Sequence, residues 1–409
     1  MNTHHITRRI EKKENITTTR WFRTLVLCVS CALLAHATPA AEQAKPTGAL
    51  PSPNIQATID KGLSFLMSSQ DGLGWWSTPH HPAVTALALT ALMGDPTDRY
   101  RTNMPASLTK AYEHILGSVK SDGSIYRTSL INYNTSISMM ALLAAKNPAY
   151  DTILRRARNF VVKSQGDLEK VGAADSPFDG GIGYSDKYTH SDMNNTVTAL
   201  EALYYTRHLV ADNKGAETRD IKLDAVIQFV QNCQNLPGYN TQSWVATDAT
   251  NRGGFVYFPG DSKAGAETNA ASGRVALRSY GSISYAGLLS YVYADLKRED
   301  PRVVAVLDWL RANYTLDENP GLGLQGLYYY VYLMTKALNT CGVDTLEMKD
   351  GTKINWRNEV AARLIALQNK NGSWKNTNGR WWETDPNLVT AYAVITLEII
   401  QRGPGSRTF

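Results

Sequence analysis

The residues of this chain whose types could do chemistry stand in short polar and aromatic clusters, each just ahead of a strongly apolar run. Asp192-Met193-Asn194-Asn195 and Asp385-Pro386-Asn387 supply carboxylates able to give up a proton. Tyr328-Tyr329-Tyr330 with Tyr332 sets four phenols in five positions. That many cover more than one face of a helix, so some must turn inward. An aromatic face stabilises a cation by about 0.5–2 kcal/mol, and a buried phenol needs a hydrogen-bond partner. His80-His81-Pro82, Tyr133-Asn134-Thr135, Ser279-Tyr280-Gly281 and Trp381-Trp382-Glu383 complete the set. Asp192, Asp385 and Tyr329 are the candidates for proton transfer. His81, Asn194, Tyr280, Tyr328, Trp381, Trp382 and Asn387 are the candidates for holding a substrate. Asn, Asp and Ser in such places also cap helices, and capping is the plainer role for Asn134 and Asn195.

Two other patterns lead nowhere. Gly321-Leu322-Gly323-Leu324-Gln325-Gly326 has the spacing of a dinucleotide fingerprint, with Asp344 further on, but nothing strand-like precedes it. His80-His81 and His190 with Asp192 lack the spacing of a zinc motif. No metal and no cofactor is expected.

The clusters are positioned by a repeat. Residues 355–367 read as a half-polar helix, Gln368 to Trp374 as a glycine turn, and 385–400 as a nearly all-apolar helix. A helix with one apolar stripe lies on a surface; one that is apolar all round is buried. The same outer helix, turn and inner helix recur at 55–69 and 83–92, 106–119 and 135–145, 150–164 and 195–205, 223–234 and 282–296, and 301–314 and 327–338. The inner helices align on a β-branched residue followed by a hydroxyl: Val84-Thr85, Ile137-Ser138, Val197-Thr198, Ile283-Ser284 and Val389-Thr390. Such a hydroxyl bonds back one turn and keeps the helix slim. The first and last inner helices are as apolar as the rest. An open solenoid needs polar end caps, so closure is predicted: an all-α (α/α)6 toroid over 54–402, with the clusters as the rim at the inner N-termini. Residues 236–279 are a long insertion within it, and long loops on rigid rings carry function.

The first forty residues are set apart. Arg20 and Arg23 precede an apolar run to Leu34, then small residues with Ala-x-Ala spacing at Ala35 and Ala37. This reads as a secretory signal peptide, followed by a proline-containing linker, 41–53. The chain is therefore expected to be exported, periplasmic or extracellular, with no transmembrane segment once mature. Residues 1–40 hold six of the 42 Lys/Arg and two of the 37 Asp/Glu, leaving 36 against 35. So balanced a chain has no electrostatic case for nucleic acid. Cys28 and Cys31 go with the leader; Cys233 and Cys341 remain, on different hairpins, as two buried thiols or a bridge.

Gln368-x-x-x-Gly372-x-Trp374 resembles the Gln/Trp repeat of squalene–hopene and oxidosqualene cyclases. Gln70-Asp71-Gly72-x-Gly74-Trp75 is a degenerate copy. On this evidence the whole mature chain resembles the prenyltransferase/squalene oxidase repeat superfamily, which includes the protein prenyltransferase β subunits. The resemblance implies a hydrophobic isoprenoid-type substrate in a central pocket, with Asp192 or Asp385 as acid and the tyrosines as cation stabilisers. The catalytic motifs of the superfamily are absent: no Asp-x-Asp-Asp, no Asp-x-Cys, no Asp-Asp-x-x-Asp. Two alternatives therefore stand beside it. One is a carbohydrate-active toroid, lyase or hydrolase, with Tyr329 as base, His81 and Asn194 on a uronate, and Trp381 and Trp382 stacked on a glycan. The other is a non-catalytic ring that binds a partner.

Overall fold

Asn54 opens the first helix by accepting the Ala57 N–H on its side chain. The computed structural model describes residues 54–167, 170, 172, 175–185, 190–211 and 220–405; the expected signal peptide and linker lie outside these. Helix α1, Ile55–Ser68, buries Ile59, Leu63 and Leu66 and exposes Lys61 and Ser64. Helix α2, Pro82–Met93, buries every residue. The contrast repeats along the chain. Amphipathic α3, Ala106–Leu116, precedes buried α4, Ile131–Ala144, and α5, Asp151–Lys163, precedes α6, Met193–Thr206. Then come α7, Leu223–Asn232, with α8, Gly281–Tyr293; α9, Pro301–Ala312, with α10, Leu327–Thr340; and α11, Trp356–Leu367, with α12, Pro386–Arg402.

Each inner helix packs on the next, α2 on α4, α4 on α6, α6 on α8, α8 on α10 and α10 on α12. Helix α12 packs back on α2, which closes the ring, and α1 lies against both α12 and α2. The fold is the expected (α/α)6 toroid. Two small antiparallel ribbons are added to it. In one, β1, Ala266–Thr268, pairs with β2, Val275–Leu277, inside the insertion. In the other, β3, Leu346–Glu347, pairs with β4, Lys353–Ile354. Among the described residues no helix is long and apolar enough to cross a membrane, and Cys233 and Cys341 are free thiols.

The turn between outer and inner helix is held the same way in most units. Trp374 is fully buried; its Nε1–H donates to Leu364 O in α11 at 2.7 Å, and its N–H donates to Thr390 Oγ1 in α12 at 3.1 Å. Gln368 donates to Gly372 O and to Thr58 O of α1, so the last turn is fastened to the first outer helix. Gln70, Gln165 and Gln234 do the same for their own glycines and the outer helix that follows. Gly372 is required twice over. Its φ is +88°, and a Cβ there would lie 2.3 Å from Lys61 O. The hydroxyl register differs from the expected one in two units. Thr85, Ser284 and Thr390 receive the turn N–H of Trp76, Phe255 and Trp374 as aligned. In the second and third units that place belongs to Thr135 and Thr196, which receive Ile125 N–H and Ile182 N–H, not to Ser138 and Thr198. What selects the hydroxyl is its reach to the turn, three and two residues earlier in these units, rather than its β-branched neighbour.

Candidate functional site

All six inner helices contribute residues at or near their N-termini to one cavity of about 260 Å³, among them His81, Tyr133, Asn194, Tyr280, Tyr329 and Leu388. A parallel set of inner helices puts these residues at one end of the ring, and the partly positive helix N-termini face that end. The wall is mainly aromatic. Tyr329 Oη donates to Asn194 Oδ1 at 2.5 Å, a bond that reaches from α10 past α8 to α6. The Tyr329 and Tyr392 rings lie 5.7 Å apart, and Tyr392 is hydrogen-bonded to Tyr133. These three phenols form the floor. The insertion supplies part of the wall through Tyr257 and Lys263; the Lys263 ammonium lies 4.4 Å from the Tyr257 ring centre and 2.5 Å from Asp261 Oδ2.

Trp381 and Trp382 stand at the mouth, 43% and 50% exposed, on a single 3₁₀ turn. Both have φ in the left-handed region, +55° and +67°, where a bulky side chain is strained and where strain marks functional loops. Trp382 meets the His81 ring edge-on at 5.6 Å. Burial, and then the neighbouring His80, hold His81 below its ordinary pKa, so it faces the cavity as a neutral imidazole.

Three inner helices are capped by a residue of the unit that follows. Asn134 Oδ1 accepts Ala83 N–H at the start of α2, although it belongs to α4. Asn319 Oδ1 accepts Ser282 N–H at the start of α8. At α10 the capping side chain is Glu383, which accepts Tyr329 N–H at 2.8 Å and Tyr328 N–H at 3.3 Å, with Asn376 Nδ2–H at 2.6 Å. Where its counterparts are amides, this unit puts a carboxylate into the cavity wall. Burial raises its pKa, while the Asn376 amide and the α10 N–H groups pull it back down.

Of the residues read from the sequence, His81, Asn194, Tyr280, Tyr329, Trp381 and Trp382 line the cavity; Asp192, Asp385, Tyr328 and Asn387 do not. Asp192 is wholly buried at the N-cap of α6, accepting Asn195 N–H at 2.9 Å and Asn195 Nδ2–H at 2.7 Å. Burial pushes its carboxyl up to about 6, against the Asn195 and Tyr257 hydrogen bonds that lower it. Tyr257, which lines the cavity, is hydrogen-bonded both to Asp192 and to Tyr184, another wall residue. Asp385 caps α12 by accepting Asn387 N–H at 2.8 Å. Asn387 joins the first and last units through Ser69 Oγ at 2.6 Å and Ser77 Oγ at 3.2 Å. Tyr328 is buried beside Glu383. Among the described residues no cluster of three metal-ligating side chains occurs.

The sequence reading gave no role to Glu383, Tyr392 or the Glu201–Lys336 ion pair below the floor. A signal for the pair was present: each is the one charged residue in an otherwise uncharged inner helix.

No family model and no curated protein sequence matches the chain. Among solved structures, the Candida albicans protein geranylgeranyltransferase-I complexed with GGPP is similar with a TM-score of 0.52 and 15% identity, over 84% of this chain and 92% of that one. The type II terpene cyclase MstE from Scytonema gives 0.49 and 13%, over 86% and 98%. At such identity the transferase match speaks for the fold alone: this chain is an α/α toroid similar in fold to that structure.

Proposed function

We propose that the chain binds an isoprenoid-type hydrophobic small molecule in the central cavity, and that it does so after export to the periplasm or the outside. The observation that carries this reading is the cavity itself. It is a pit of about 260 Å³ walled by aromatic rings, floored by Tyr133, Tyr329 and Tyr392, and open at the Trp381–Trp382 mouth. Aromatic walls with a few convergent polar groups suit one buried apolar ligand. The similar transferase, complexed with GGPP, lends support through its ligand class. Mid-chain attack on a polysaccharide needs a groove open at both ends, whereas this pit has a floor. The reading is one of binding first. Glu383 is the one carboxylate among the lining residues and is held by N–H donors, and Asp192 could reach a ligand only through Tyr257 and Tyr184.

The test is titration of the full chain with geranylgeranyl diphosphate, squalene and free C15 and C20 isoprenoids. Quenching of Trp381 and Trp382 fluorescence reports binding, and mass spectrometry of the extracts reports any product. Saturable quenching by at least one isoprenoid is expected. Absence of saturable binding to all of them would overturn the reading.

A further inference from the structure

Beneath the tyrosine floor lies a second void, about 10 Å³, lined by Glu201, Thr198, Tyr332 and Lys336 and sharing Tyr133, Tyr329 and Tyr392 with the cavity above. It has room for one water-sized group. The Lys336 ammonium is ion-paired with Glu201 and donates to Tyr332 Oη at 3.0 Å; the lysine and glutamate side chains are 2% and 7% exposed. An ammonium carries three donors, so these two contacts leave one for an oxygen placed in the void. Nearby, the Tyr293 hydroxyl is buried without a hydrogen-bond partner.

The fold does not ask for this arrangement. A buried ion pair is often no more stabilising than well-packed apolar residues of the same volume. The equivalent depth of the other inner helices is occupied by apolar and small hydroxyl side chains, as at Leu87 to Leu92 of α2. The pair is kept directly beneath the tyrosine floor of the cavity.

We infer that the ligand of the central cavity carries an oxygen function, a hydroxyl or a carbonyl, at its buried end, and that the Tyr133/Tyr392 phenols and Lys336 receive it. The inference rests on the reading of the cavity as an isoprenoid site and narrows it from hydrocarbons to oxygenated isoprenoids that enter oxygen first. The Trp381–Trp382 mouth then closes on the apolar end.

The full chain is titrated with farnesene and farnesol, which share a carbon skeleton; farnesene ends in a diene where farnesol carries its allylic hydroxyl. The titrations are repeated on the double variant Lys336→Met, Glu201→Leu. The wild type is expected to prefer farnesol by roughly tenfold or more, the range of a hydrogen bond to a charged group. The double variant is expected to lose that preference while binding farnesene as before. Should this variant not fold by circular dichroism, Lys336→Gln with Glu201→Gln keeps volume and polarity, and it is expected to lose most of the preference. Equal binding of both ligands by the wild type, or a preference that survives in the folded variant, overturns the inference while leaving the cavity reading intact. Failure of the wild type to bind any isoprenoid overturns both.

Discussion

Trp374 and Trp382 stand eight residues apart in the same turn and do opposite things. Trp374 is fully buried, its indole N–H closed on Leu364 O and its backbone N–H closed on Thr390. Trp382 is half exposed, takes a backbone conformation that disfavours bulky residues, and touches His81 of the first unit. The first has a counterpart: Trp76 is also fully buried and donates Nε1–H to Leu66 O at 2.7 Å. The second has none. Residues that recur with the repeat build the ring, and those that break the repeat build the site. Glu383 follows the same rule: among the caps supplied by the following unit it is acidic, where those at α2 and α8 are amides.

The strongest way to break this division is Trp374→Ala. Removing a wholly buried indole costs about 3–5 kcal/mol, and here it also strips the turn of its hold on α11. Chemical unfolding followed by circular dichroism should show that loss, and Trp76→Ala should cost about as much. A small cost at Trp374 with a large one at Trp76 would mean that the two turns are not equivalent and that closure does not depend on the last one.

Asp192 sits where ring and site meet, and its titration tells which it serves. Its carboxyl is raised from 3.8 to about 6 by burial. Between those values the folded chain binds the proton and the unfolded chain does not. Stability from this group is therefore full at acid pH and falls as pH rises from about 4 to about 6, by roughly 3 kcal/mol in all. Above that it is flat. Asp192→Asn keeps a capping side chain and should remove this part of the slope in unfolding experiments between pH 4 and 7. An identical slope in the variant would place the buried charge elsewhere.

Much of the ring was legible because its signals are local. Helical periodicity and the glycine turn before Trp374 each depend on a few neighbouring residues, although at the first turn the motif falls on Trp75 and the strap is Trp76. The hydroxyl register was not legible at Thr135 and Thr196, because the choice is made by a turn N–H ten to fourteen residues earlier. The site was half legible. Residues just ahead of inner helices fall on the rim by chain direction alone, which places Tyr280, Tyr329 and Asn194. Whether such a residue faces the ligand or its own backbone depends on contacts between units. Asp192 and Asp385 turn back to cap their own helices, while Asn134 and Glu383 cross to a neighbour's, and nothing within a single repeat distinguishes these cases.

The smallest expected change in stability belongs to Trp382→Gly, and it sharpens the comparison most. Glycine takes φ near +67° without steric cost, which recovers up to about 1 kcal/mol of strain. Against this stands the loss of a half-exposed indole and its edge contact with His81. The two nearly cancel, so stability should stay within about 1 kcal/mol of the wild type. Isoprenoid binding, measured by displacement of a fluorescent prenyl probe, should weaken all the same, because the indole covers the mouth of the pit. If Trp382→Gly unfolds the chain as Trp374→Ala does, the half-exposed tryptophan is a second strap. If it instead leaves both folding and binding untouched, the mouth lies elsewhere on the rim, and the strain at Trp381 and Trp382 has no part in holding a ligand.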